Sequence, residues 1–147
     1  MNSKYAYVHF IKGISETDVT KNGELVQFNY PIYAGETNLM SVAEYERFEK
    51  NFPDCIKGGV IKQDNLMNVI NLLYSQLKEE IVALPELDDY ARSRFEYLKN
   101  EFERDGVLKP DHNTESSIDD LVNKFFILQE QVRKNQRENV VKSNYHR

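Results

Sequence analysis

Leu66, Ile70, Leu73, Leu77, Ile81 and Leu84 recur at spacings of four, three, four, four and three. That is one apolar stripe, and it predicts a helix of about six turns over 63–84. Val69 and Leu72 widen the stripe towards the arc of a buried globular helix. Asp64 stands at its start, where a carboxylate meets unpaired amides. Pro85 ends the run, because the residue before a proline avoids helical geometry. Two later segments carry matching stripes. Leu87, Ala91, Phe95 (or Arg94), Leu98 and Phe102 predict a helix that ends near Gly106. Ile118, Leu121, Val122, Phe125, Leu128 and Val132 predict another, capped by Ser116 or Ser117. The short connection after Leu84 predicts antiparallel neighbours. Leu73, Leu77, Phe125 and Leu128 are the expected core of this three-helix bundle.

The period changes near the N-terminus. In KYAYVHFIK, residues 4–12, Tyr5, Tyr7, His9 and Ile11 alternate with Ala6, Val8 and Phe10, which predicts a strand. Both faces are largely apolar, so cover on both sides is expected. Asn22-Gly23 is a hairpin signal, because a type I′ turn needs positive φ at both central residues. The returning strand alternates Leu25, Gln27, Asn29 with Val26, Phe28, Tyr30, and Pro31 makes it an edge or a bend. A sheet of about three strands is marginal alone and needs helices or a partner against it. Ser41 and Glu44 have capping-box spacing, with Met40 and Tyr45 as the flanking staple. A short helix bearing Tyr45, Phe48 and Phe52 follows and stops at Pro53, and DCIKGGVIK reads as a loop.

The expected fold class is therefore α+β. A small antiparallel N-terminal β-sheet precedes a short helix, an antiparallel three-helix bundle and an extended C-terminal tail. The expected organisation is a single domain over 1–132, with a β-rich part at 1–40 and a helical part at 41–132, and a basic arm at 133–147. The arm is VRKNQRENVVKSNYHR without its first residue, where the apolar stripe has stopped.

Charge gives that arm its significance. The net charge is -5, but it is unevenly spread. Residues 79–120 hold thirteen Asp or Glu against five Lys or Arg, a net of -8. Residues 133–147 hold five Lys or Arg against one Glu, a net of +4. Arg133, Lys134, Arg137, Lys142 and Arg147 would draw the arm to an acidic surface, and Val140, Val141 and Tyr145 would anchor it in a groove. The acidic stretch of a second copy is one candidate for that surface. These eight residues form the expected protein-interaction site.

Catalytic and metal chemistry find little footing. His9, His112 and His146 fall in a strand, a loop and the tail, and no His or Cys pair has ligand spacing. DHN at 111–113 is a turn sequence. Asp88-Asp89 and Asp119-Asp120 lie in first helical turns, where acids favour the dipole. Cys55 has no local His and suits a half-buried filler. Lys57-Gly58-Gly59 lacks P-loop spacing. No cofactor is expected. An acidic body disfavours nucleic acid, and no apolar run approaches the roughly 18 residues of a membrane span. The start, MNSKYAYVHF, lacks a signal peptide's apolar segment, so a cytoplasmic or particle-bound location is expected.

The strand-rich start, KYAYVHFIKG to QFNYPIYAGE, the helical bundle and the tail VRKNQRENVVKSNYHR together resemble, in style, small structural or accessory proteins of tailed bacteriophage particles. That resemblance implies repeated copies and contacts with other virion proteins or with itself, in capsid decoration, head–tail connection or fibre anchoring, without catalysis. The alternative is a soluble adaptor or inhibitor that binds a host enzyme.

Overall fold

A computed structural model describes residues 3–14, 17–19, 22–23, 25–27, 32–84, 87–105 and 115–145, with backbone alone at 17–19, 26–27, 105, 115–117 and 138–145. The strands are β1 (Tyr5–Phe10), β2 (Thr17–Val19), β3 (Leu25–Gln27), β4 (Thr37–Ser41) and β5 (Ile56–Val60). The helices are α1 (Val42–Asn51), α2 (Leu66–Val82), α3 (Asp89–Asp105) and α4 (Glu115–Tyr145), with short 3-10 turns at Pro53–Cys55 and Gln63–Asn65. The class is α+β: a small antiparallel sheet, whose strand β5 comes after the short helix α1, and then three long helices. The chain divides into two compact units, Met1–Val69 and Ile70–Arg147.

In the first unit the sheet order is β4-β1-β5, antiparallel throughout. β1 is central because it pairs with β4 on one edge and β5 on the other, and its alternate residues Ala6, Val8 and Phe10 are apolar and fully buried. Val8, Phe10, Ile14, Met40 and Phe52 form the core cluster, with Tyr45, Phe48, Cys55 and Ile56 packed against it. The rings of Phe10 and Phe48 meet edge to face at 5.3 Å. On the opposite face Leu39 is buried, whereas Tyr7 and Ile11 are exposed, so the expected cover on that side is only partial.

α1 begins as its sequence predicts, with the Glu44 amide donating to Ser41 Oγ at 3.2 Å. β2 and β3 form a separate antiparallel pair joined through residues 20–24, with Asn22 and Gly23 at the turn and Gly23 at φ 85°. Val19 pairs with Leu25, and Thr20, Lys21 and Glu24 between them lie outside the described residues. Phe28, Asn29, Tyr30 and Pro31, and with them the edge at Pro31, lie outside the described residues.

The segment expected as a loop after Pro53 is instead β5. Gly58 makes this strand possible. It lies opposite Val8, and a Cβ at that position would collide with the Tyr7 carbonyl oxygen. Lys57-Gly58-Gly59 is therefore part of a paired strand, and offers no phosphate-cradling loop.

In the second unit the apolar stripes interlock as expected. Ile70, Leu73, Leu77 and Ile81 of α2, Phe95, Leu98 and Phe102 of α3, and Leu121, Val122, Phe125, Leu128 and Val132 of α4 are all buried. One expectation is corrected. Leu72 is 61% exposed, and Tyr74 takes the flank of the stripe instead at 2%. The Tyr74 and Phe102 rings lie 4.3 Å apart, and Phe102 meets Phe125 at 5.9 Å. These three rings set a common level for the three helices. Beyond it, Arg133 of α4 reaches Glu80 of α2, so α2 and α4 run in the same direction. α3 begins at Asp89, seven positions after Val82, and runs against both.

Candidate protein-interaction surface

The last helix decides where an interaction surface can lie. α4 spans 31 residues, and α2 and α3 span 17 each. The expected extended tail is a helical continuation as far as Tyr145. The physical reason is that an apolar stripe and a helix need not end together. Beyond Val132 five of the fifteen residues are Arg or Lys, with one Gln and one Glu, helix formers that help to propagate a helix already nucleated by packing.

The first residue of the expected arm belongs to the bundle. Arg133 is 4% exposed, and its Nη1 donates to both carboxylate oxygens of Glu80 at 3.1 Å and to Gln136 Oε1 at 3.0 Å. A guanidinium is tolerated at such burial only when paired and hydrogen-bonded. Arg133 is thus removed from the free interaction set. The signal that could have found it was Glu79-Glu80 late on α2, beneath a basic residue just past the last apolar position of a parallel helix.

Lys134 is exposed and Arg137 half-buried. Val140, Val141, Lys142 and Tyr145 stand on helical backbone, with side chains outside the described residues, and Arg147 lies outside them altogether. Asn135 Nδ2 donates to the Gln131 carbonyl at 3.0 Å. At Asn135 and Gln136 the stripe has become amide-bearing.

A second feature escaped the sequence reading. Tyr90, Arg94 and Tyr97 lie on one exposed face of α3, and the Arg94 guanidinium sits 5.7 Å from the Tyr97 ring centroid. The available signal was spacing: these residues, at i, i+4 and i+7, fall off the stripe that runs through Ala91, Phe95 and Leu98.

The inner face of α3 is tied by a polar node. Tyr74 donates its phenol proton to Glu103 Oε1 at 2.7 Å, and Lys78 Nζ lies 3.9 Å from the same oxygen and 4.9 Å from the Tyr74 ring centroid. Burial first, then the Glu103 hydrogen bond, pushes the Tyr74 phenol far above its ordinary range. It remains a neutral donor at physiological pH.

His9, Asp88 and Cys55 each have a structural place. His9 Nδ1 lies 2.8 Å from Thr37 Oγ1 across the β1–β4 pair. Asp88 Oδ1 accepts from the Ala91 amide at 2.7 Å and caps α3. Cys55 is half-buried beside the sheet core. His112 and His146 lie outside the described residues. Among the described residues, no group of three His, Cys, Asp or Glu could hold a metal ion. None of the described helices is long and apolar enough to cross a membrane.

No family model matches the chain, and no solved structure matches it. The chloroplastic transcription termination factor MTERF4 of Zea mays is 35% identical over 74 residues, covering 46% of this chain. The matched part is 15% of that protein's length.

Proposed function

We propose that the chain is a non-enzymatic component that works through protein–protein contacts. The observation that carries this reading is α4, whose helical backbone continues for twelve residues past Arg133, the last one seen buried. A long basic helical end, acidic surface elsewhere on the chain and an exposed Tyr–Arg–Tyr face are the materials of a docking protein. Tyr and Arg dominate binding hot spots because they combine large contact area with directed donors. The finer form of the proposal is a structural or accessory component of a phage-like particle, present in repeated copies. A strand-rich start, a bundle and a long terminal helix support that form. The alternative is an adaptor that binds a single enzyme.

The test is a mass-spectrometric inventory of purified particles from the source, beside affinity capture with the full chain. Fixed stoichiometry with other particle proteins supports the finer form. One stoichiometric partner outside any particle supports the adaptor. A protein that stays alone in both experiments defeats the contact reading.

The partial match to a transcription termination factor favours a second reading, association with nucleic acid. The net charge of -5 weighs against it, since phosphate binding draws on Lys and Arg neutralising the backbone. Salt-dependent retention of labelled single- or double-stranded nucleic acid would bring this reading forward.

A further inference from the structure

Resting on the contact reading, we infer that β5 is a pairing edge whose occupant is β5 of a second copy of this chain, antiparallel to it. The two small sheets then join into one, in the order β4-β1-β5-β5-β1-β4. Hydrogen-bond alternation identifies the edge. The Ile11 amide donates to the Cys55 carbonyl at 2.8 Å, and the Ile61 amide to the Tyr5 carbonyl at 2.9 Å. In an antiparallel ladder of that register, positions 55, 57, 59 and 61 turn their backbone groups to β1, and 56, 58 and 60 turn theirs away. The sheet ends at β5. Among the described residues, nothing is hydrogen-bonded to the amides or carbonyls of Gly58 and Val60. Both residues are exposed, Val60 at 46%.

The sequence along this edge is self-complementary. A two-fold axis at Gly58 sets position 58 against 58, 56 against 60, 57 against 59 and 54 against 62. Each Gly58 amide then donates to the other Gly58 carbonyl, and each Val60 amide to the other copy's Ile56 carbonyl. Ile56 and Val60 face each other as a β-branched pair, which covers the exposed Val60. Lys57 falls opposite Gly59 and not opposite its own counterpart. A Cβ at Gly59 would meet open space, so the Lys57 stem has room there, beside exposed Tyr7. Glycine within a strand suits the close approach of another backbone. Charge selects the antiparallel second copy. Asp54, just before β5, and Lys62, just after it, are both exposed. Neither takes part in an ion pair among the described residues. The axis brings Asp54 of each copy level with Lys62 of the other, at both ends of the ladder. A parallel pairing in register would set like charges against each other instead. The assembly closes as an isologous dimer.

Analytical ultracentrifugation of the full chain over a concentration series, joined to amide hydrogen exchange read by nuclear magnetic resonance, tests this. The expected result is a monomer–dimer equilibrium in which the Gly58 and Val60 amides gain protection as dimer forms. The Gly59 amide, already turned to β1, should not change. Val60→Pro removes an outward donor and no bond to β1. It is expected to be monomeric, with its circular dichroism and melting retained. Asp54→Lys is expected to raise the dissociation constant about tenfold at low salt, and adding Lys62→Glu to restore it. Should Val60→Pro fail to fold, the charge reversal and its rescue decide alone. A monomer at every concentration, or a dimer unmoved by these variants, overturns the inference. If the monomer nevertheless captures a different protein, the contact reading survives while the second-copy inference falls. If it captures nothing, both fall.

Discussion

Leu77→Ala tests whether the α2 stripe is the core of the second unit. Leu77 is 2% exposed and sits one turn from Leu73 and Ile81, both buried. At about 0.8 kcal/mol per buried methylene-sized group, truncation loses roughly 2.4 kcal/mol of transfer free energy. The cavity left between three packed helices raises the expected cost to about 2–5 kcal/mol. Against a total stability on the order of 5–15 kcal/mol, that is a large fraction. Leu72 supplies the control: by sequence it widens the same stripe but it lies 61% exposed. Leu72→Ala should cost less than about 0.5 kcal/mol. The assay is urea denaturation followed by circular dichroism, with thermal melting alongside. At about 4–8 °C per kcal/mol for a unit of this size, Leu77→Ala should lower Tm by at least about 8 °C. Equal losses in the two variants, or a Leu77→Ala shift below about 0.5 kcal/mol, would refute the assignment.

Three further outcomes follow from the geometry. Gly58→Ala should destabilise the first unit by roughly 1–3 kcal/mol through overpacking against the Tyr7 carbonyl, while Gly59→Ala, with open space around its added Cβ, should cost far less; chemical denaturation of both compares them directly. Glu80→Gln should leave the Arg133 guanidinium undercompensated. Because Glu80 is 31% exposed, the loss should fall below the roughly 3–5 kcal/mol of a fully buried pair, and adding Arg133→Met should recover most of it. Tyr74→Phe removes a hydrogen bond to a carboxylate, worth about 1.5–3 kcal/mol, with the lower end expected because Glu103 is 36% exposed. Since the folded phenol is held above its ordinary value of 10.0, the unfolded chain ionises first. The wild-type contribution is complete below about pH 10 and declines as pH rises beyond it; a pH series of melts should show that decline flattened in Tyr74→Phe.

The parts of the fold set by local rules were legible in the sequence. The stripe from Leu66 to Ile81, the Ser41–Glu44 cap, the strand at 5–10 and the acid at the start of α3 each depend on neighbours a few residues away. Strands β4 and β5 do not. Thr37–Ser41 and Ile56–Val60 contain weak strand formers, Asn and paired Gly, and become strands because β1 pairs with both. Such a pairing spans tens of residues and leaves no periodic trace. Leu72 and Tyr74 show the same limit on a helix. Spacing fixes the centre of the buried arc, but the neighbours fix which side it widens towards. The candidate site was half legible. Charge segregation pointed to the end of the chain, yet nothing local distinguished Arg133, committed to Glu80, from exposed Lys134 beside it.

The protein contains nine tyrosines and no tryptophan. Among the tyrosines whose side chains are described, Tyr74 is the buried one, fixed between an aromatic ring, a carboxylate and an ammonium. Tyr5, Tyr7, Tyr33, Tyr45, Tyr90 and Tyr97 are half-buried or exposed. An immobilised chromophore in an asymmetric setting has strong near-ultraviolet dichroism, whereas rotating surface phenols average theirs away. The helical unit therefore carries its own optical label. Loss of the tyrosine dichroic band will report the opening of the Tyr74–Phe102 packing, separately from the far-ultraviolet signal of helix melting, without a dye or an introduced tryptophan.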